Sequence, residues 1–232
     1  MSTSETDRYL MISGDCHAGP PLPGFAPYFD PAEREDFDRY WRSRPGAALA
    51  EPAAGGDRDA LAGFLAAFMQ ATGGTPEQAK AFAERALEAT IGLFDSSIRD
   101  RYLDEEGIAG EVIYGDGFVA NHPPYSDIME SNGQIFGGVP WPFDKQLAGA
   151  RAYNRWLAGF CAESPGRRAG VIQLPAAHDV PALVAETRRA HAEGLFGGIL
   201  VPALEPGLPG YHDPHYDPLW AVAAELDLPV NV

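Results

Sequence analysis

Residues 170–201 read GVIQLPAAHDVPALVAETRRAHAEGLFGGILV, and this stretch decides the fold class. Gly170 to Leu174 is a short, mostly apolar strand, as expected where both faces of a sheet are covered. Asp179 opens a helix carrying Leu183, Val184 and Thr187, which ends near Gly194, and Gly198 to Val201 is a second strand. The pattern continues outward. Downstream, Asp217-Pro218 opens a helix with Trp220, Ala223 and Ala224, and Leu228 to Val232 is a strand. Upstream lie a helix from about Phe143 to Ala162, a strand at Glu111 to Tyr114 and a helix from Ile98 to Glu106 that stops at Gly107. Strand and helix in alternation predict an α/β protein with a parallel sheet and crossover helices. A doubly wound open sheet and a (β/α)8 barrel both satisfy this pattern. No Gly-x-Gly-x-x-Gly follows a strand, so dinucleotide binding has no support, and no Gly-x-Ser-x-Gly supports an α/β-hydrolase.

The chain has 232 residues, 45% of them hydrophobic, enough for one substantial core. Lys plus Arg total 17 against 33 for Asp plus Glu, a formal net charge of −16. Such acidity repels nucleic acid and anionic lipid, so neither is an expected partner. Two cysteines, Cys16 and Cys161, make no disulfide framework, and a reducing compartment is the simpler reading. Met1 to Asp7 has neither a basic region nor an apolar run, and no stretch of about 18 apolar residues occurs, so a cytoplasmic protein is expected.

Near the N-terminus, Tyr9 to Ser13 reads as a strand ended by Gly14, followed by a Pro-rich loop and a helix from Asp30-Pro31 to about Arg42. Pro45 to Gly56 reads as a flexible connection. Residues 57–91 then form a helical hairpin inserted after strand 1. Leu61, Phe64, Leu65 and Phe68 give its first helix an apolar stripe, and Thr75-Pro76-Glu77-Gln78 starts its second with a capping box. The hairpin is a lid, a dimer contact, or simply packed on the domain.

At the C-terminal end of the first strand lie Asp15 and His17. Residues i and i+2 of an extended segment point the same way, so a carboxylate and an imidazole stand side by side while Cys16 faces the other way. That donor pair suits a borderline divalent ion such as zinc or manganese. The competing reading is an ordinary hydrogen-bonded pair.

Taken together, the motifs resemble the amidohydrolase-related proteins of the amidohydrolase 2 group, which include aminocarboxymuconate-semialdehyde decarboxylase. The resemblance rests on Ile12-Ser13-Gly14-Asp15-Cys16-His17, on Arg101 to Tyr114, on Tyr153-Asn154-Arg155-Trp156-Leu157 with Pro165-Gly166-Arg167, on Leu174-Pro175, on Gly194 to Ile199, and on Asp213 to Trp220. No single motif is specific, but their order and spacing are. The resemblance implies a (β/α)8 TIM-type barrel in one domain, 1–232, with its chemistry at the C-terminal ends of the strands. About the first five β/α units are present. It carries a metal-ligand role onto Asp15 and His17 alone, with zinc the first choice and manganese the second. Where many members have His-x-His, this chain has Asp-x-His. The family's later ligands and its catalytic aspartate lie past the fifth strand, so the chain reads as the first part of a longer enzyme and no catalytic residue is assigned.

His122, His178 and His212 lie in loops after successive strands and are the candidate substrate-binding residues; each is equally readable as a loop histidine. His215 sits near a helix start and His191 late in a helix, where a cation suits the dipole. Asp116 and Asn121 fit substrate binding or a turn. Trp141 and Phe143, with Pro140 and Pro142, form an aromatic wall or plain packing. Arg167 and Arg168 precede a strand and read as solvated or salt-bridged, and Cys161 as a small core residue. The expected activity is metal-dependent hydrolysis of a small carboxylated or cyclic substrate. Decarboxylation and an inactive remnant are the alternatives, and a second copy of the chain is the other partner considered.

Overall fold

The strand that follows Arg167 changes partners halfway along, and this exchange organises the sheet. In the computed structural model, which describes residues 9–44, 47–115, 122–126, 141–202, 204 and 207–232, β1 (Met11–His17), β2 (Ile108–Tyr114) and β3 (Arg168–Gly170) form one parallel three-stranded sheet. A second parallel sheet joins β4 (Ile172–Gln173), β5 (Ile199–Leu200) and β6 (Val230–Asn231). Val171 lies between β3 and β4. Its N–H donates to Ile113 O at 2.8 Å, while the N–H of Ile172 donates to Gly198 O at 2.8 Å. One extended segment thus belongs to both sheets. The described strands do not close into a barrel: β1 and β6 are terminal strands. Tyr9, Leu10 and Ile12 around β1, and Val230 and Val232 around β6, are exposed apolar side chains.

Helices α1 (Arg34–Arg42), α2 (Ala47–Ala54), α3 (Arg58–Ala71), α4 (Pro76–Ile91) and α5 (Ser96–Glu105) lie between β1 and β2. Helix α6 (Phe143–Ala162) follows β2, α7 (Val180–Ala192) connects β4 to β5, and α8 (Asp217–Glu225) connects β5 to β6. The main core forms where Tyr153 and Leu157 of α6, Leu183 of α7 and Val222 of α8 bury Ile113, Ile172 and Ile199 of the strands. None of the described helices is long and apolar enough to cross a membrane.

Three local expectations change. Residues 47–54 of the expected flexible connection are helical despite Pro52, because Ala50 and Ala53 are buried; packing there outweighs the proline's penalty. Helix α1 begins at Arg34, since the Asp30 carboxylate pairs with Arg155 Nη1 at 3.0 Å instead of capping a helix. Strand β1 runs on through His17 rather than ending at Gly14.

Helices α3 and α4 share with α2 a small core of their own, Ala53, Leu61, Leu65, Ala83 and Ile91. The capping box at the start of α4 forms as read: Gln78 N donates to Thr75 Oγ1 at 3.3 Å, and Thr75 N donates to Gln78 Oε1 at 2.9 Å. Thr75→Ala is expected to destabilise by about 1 kcal/mol, seen as a lower denaturant midpoint with unchanged slope.

Candidate functional site

The tip of β1 carries an extra residue. Ser13 is in register with Glu111 but Cys16 with Ile113, so three steps along β1 match two along β2. This bulge brings Ser13 and Cys16 to one face, and Cys16 Sγ donates to Ser13 Oγ at 3.0 Å. Burial pushes the Cys16 thiol up. Asp15 and His17 meet away from that contact: Asp15 Oδ1 stands 3.6 Å from His17 Nε2, with the two side chains 85% and 36% exposed. That separation is longer than a hydrogen bond. It suits two ligands of one ion, since donors held at roughly 2.0–2.2 Å each can be no more than about 4.4 Å apart. The donor chemistry therefore fits half of a divalent metal site. No group of three or more His, Cys, Asp or Glu able to hold a metal occurs among the described residues.

Helix α6 fixes the strand tips beside this pair. The Tyr153 hydroxyl faces Ala18 O at 2.9 Å and Tyr114 O at 3.2 Å, tying β1 to β2. Asn154 acts as a substitute strand for β4: its Nδ2 donates to Gln173 O at 3.0 Å, and Gln173 N donates to its Oδ1 at 2.9 Å. Its other Nδ2 hydrogen goes to the buried carboxylate of Glu186, at 2.7 Å. Gln146 Oε1 accepts from Ala176 N at 3.1 Å. Tyr114, in register with His17, donates its hydroxyl hydrogen to Asn231 Oδ1 of β6 at 3.0 Å.

The histidines of the loops are placed separately. His122 is half-buried in the short described segment before α6. His178 is exposed just before α7, its ring 6.2 Å from Phe143, while its neighbour Asp179 caps that helix by accepting from Ala182 N at 3.0 Å. His212 is exposed beyond β5. His215 is exposed against Tyr216, and His191 is half-buried in the last turn of α7. Asp116, Asn121 and Pro140 lie outside the described residues. Trp141 packs on Tyr40 and Tyr125, both at 5.3 Å between ring centres. Arg168 is salt-bridged, its Nη2 2.7 Å from Asp100 Oδ1, and buried rather than solvated. Cys161 is a buried core residue, its thiol pushed up to about 12 by burial. The sequence reading passed over Tyr114, Asn154 and Asn231. A polar Asn in the otherwise apolar run 228–232 was the one visible signal.

The fold is thus that of a parallel α/β protein with its polar side chains gathered at strand tips. Residues 123–232 match the family model described as Amidohydrolase. That stretch is similar to the family and contains the resembling motifs from Tyr153 to Trp220. No curated protein sequence matches the chain. Among solved structures, a point mutant of 5-carboxyvanillate decarboxylase from Novosphingobium aromaticivorans, with bound manganese and 3-methoxy-4-hydroxy-5-nitrobenzoic acid, is similar at a TM-score of 0.52 and 18% identity, covering 99% of this chain and 52% of its own. A second structure of that decarboxylase, with manganese and 4-hydroxy-3-methoxy-5-nitrobenzoic acid, gives 0.51 and 18%, covering 96% and 49%. The chain spans about half the length of the solved proteins it matches.

Proposed function

We propose that this chain carries the first-strand part of a divalent metal site, zinc or manganese, in a TIM-type barrel enzyme that acts on a small carboxylated or cyclic substrate by hydrolysis or decarboxylation. The observation that carries this reading is the Asp15–His17 pair, 3.6 Å apart at the tip of a parallel strand, in a chain whose residues 123–232 match the amidohydrolase family model. A divalent ion supplies Lewis-acid polarisation of a substrate oxygen or activation of water. Asp15 and His17 would hold it. Tyr153 and Asn154 keep the neighbouring strand tips in place, so the site is presented on rigid elements rather than on loops. His122, His178 and His212, in loops after the strands, are proposed to contact substrate. Decarboxylation is favoured by the solved neighbours, both structures of a decarboxylase, and hydrolysis by the family match.

The test is metal retention. In equilibrium dialysis against zinc or manganese, wild type is expected to hold the ion at least about tenfold more tightly than the Asp15→Ala, His17→Ala double variant, a factor that loss of an outer-shell partner alone already reaches. Equal metal in both proteins would remove the site. Carbon dioxide release from aromatic carboxylates, measured beside cleavage of amides and lactones, separates the two reaction types.

A further inference from the structure

One side of β4 is paired with a side chain instead of a strand. Val171 N donates to Ile113 O at 2.8 Å, so the next step of that parallel ladder would take Gln173 N to Gly115 O. Gly115 stays near, since a Cβ there would stand 2.9 Å from Gln173 Cγ. Yet Gln173 N donates to Asn154 Oδ1 at 2.9 Å, and Gln173 O accepts from Asn154 Nδ2 at 3.0 Å. On its other side the segment keeps its ladder: Ile172 N donates to Gly198 O at 2.8 Å and Leu174 N to Leu200 O at 3.3 Å. Strand β4 therefore stays with β5 and parts from β2 at Gln173.

The inserted amide has one hydrogen to spare, and Glu186 of α7 takes it. Every partner of Asn154 acts one way: Gln173 N–H donates, while Gln173 O and the carboxylate only accept. They fix the amide with Oδ1 toward Gln173 N and both Nδ2 hydrogens committed, the second to Glu186 Oε1 at 2.7 Å. The Glu186 side chain is wholly buried, with Arg189 Nη2 and Nε at 2.6 and 2.8 Å and Arg151 Nε at 3.4 Å. Arg189 follows Glu186 by three positions, and a pair serving the helix alone would sit in water. Here the carboxylate is turned inward instead, against Asn154. Without it, a buried Nδ2 hydrogen would lose its acceptor.

We propose that Glu186 is a positioning residue: through Asn154 it holds the end of β4 apart from β2, so that Pro175 to His178 leave the sheet at a fixed place. Ala176 N, bound at 3.1 Å to Gln146 Oε1 of the same helix as Asn154, is the next fixed point on that path. The inference stands apart from the reading of Asp15 and His17. Its test is amide hydrogen exchange of the whole chain followed by nuclear magnetic resonance, with Ile172 as internal reference because its N–H faces β5. In Glu186→Leu, Gln173 should exchange at least about tenfold faster relative to Ile172 than in wild type, the scale of one hydrogen bond to a charged group. Glu186→Gln keeps an acceptor oxygen for Asn154 and should restore most of the wild-type ratio. In wild type itself, both Asn154 Nδ2 hydrogens should be protected; rapid exchange of either overturns the proposal without any variant. Equal acceleration of Gln173 and Ile172 in Glu186→Leu, an unchanged ratio, or a glutamine variant as fast as the leucine one overturns it too.

Discussion

Arg168→Met is expected to lower the free energy of unfolding by about 3–5 kcal/mol, the usual cost of breaking a buried ion network from one side. Arg168 is wholly buried at the start of β3. Its Nη1 donates to Ser96 Oγ at 2.9 Å and to Phe160 O at 2.8 Å, and its Nη2 to Asp100 Oδ1 at 2.7 Å and Ser96 O at 3.2 Å. The guanidinium also lies 4.2 Å over the Phe160 ring and 3.5 Å from the buried carboxylate of Glu111. Methionine fills much of the volume but satisfies none of these oxygens. Glu111 would keep Arg99, 2.6 Å away, yet Ser96 and Phe160 would lose donors inside the protein. The neighbouring Arg167 is the control. Its partner Asp104 is largely exposed, so the ion pair itself is worth less than about 1 kcal/mol. Denaturant titration of Arg168→Met and Asp104→Ala measures the contrast; equal small losses would show that β3 does not depend on its buried charge.

Gly149→Ala is expected to destabilise by about 2–3 kcal/mol, although alanine is the better helix former by about 1 kcal/mol. Gly149 is buried in the middle of α6, where a Cβ would overlap the carbonyl oxygen of Pro124. The obstacle is backbone, so no side-chain rotation relieves it. The segment it touches has little freedom to withdraw. Tyr125, the next residue, is buried with φ at 61°, a left-handed conformation that a non-glycine residue holds at a cost of about 1–3 kcal/mol. It is held there by rings, with centres 4.2 Å from Tyr40, 5.3 Å from Trp141 and 6.2 Å from Phe29. Its N–H donates to the Tyr40 hydroxyl at 3.3 Å. Release of this segment should raise Trp and Tyr exposure, visible in near-ultraviolet circular dichroism. A variant as stable as wild type would mean that residues 122–126 move aside at no cost.

Elements governed by short-range chemistry could be read from the chain. The Thr75–Gln78 box and the Asp179 cap depend on residues three apart, and both form. The parallel alternation from β2 onward followed from short apolar runs separated by helices. What depended on distant packing could not be read. Helix α2 exists because Ala50 and Ala53 find a buried surface, which Pro52 conceals locally. Asp30 looked like a cap, but a charge 125 positions away claims it. At the site, the closeness of Asp15 and His17 followed from strand geometry. The Tyr114–Asn231 contact required the sheets to bring together strands that share no ladder, and no local pattern encodes that.

The bulge between Ser13 and Cys16 divides β1 into two phases. Pairing with β2 shifts register there, as it also does between Met11 and Ile12, so His17 follows a different register from Ile12 and Ser13. Sequence drift in the first half of that strand can recast its edge without turning the acid and the imidazole, whereas losing a single codon at Gly14 would merge the two phases and rotate the chemical end of the strand inward.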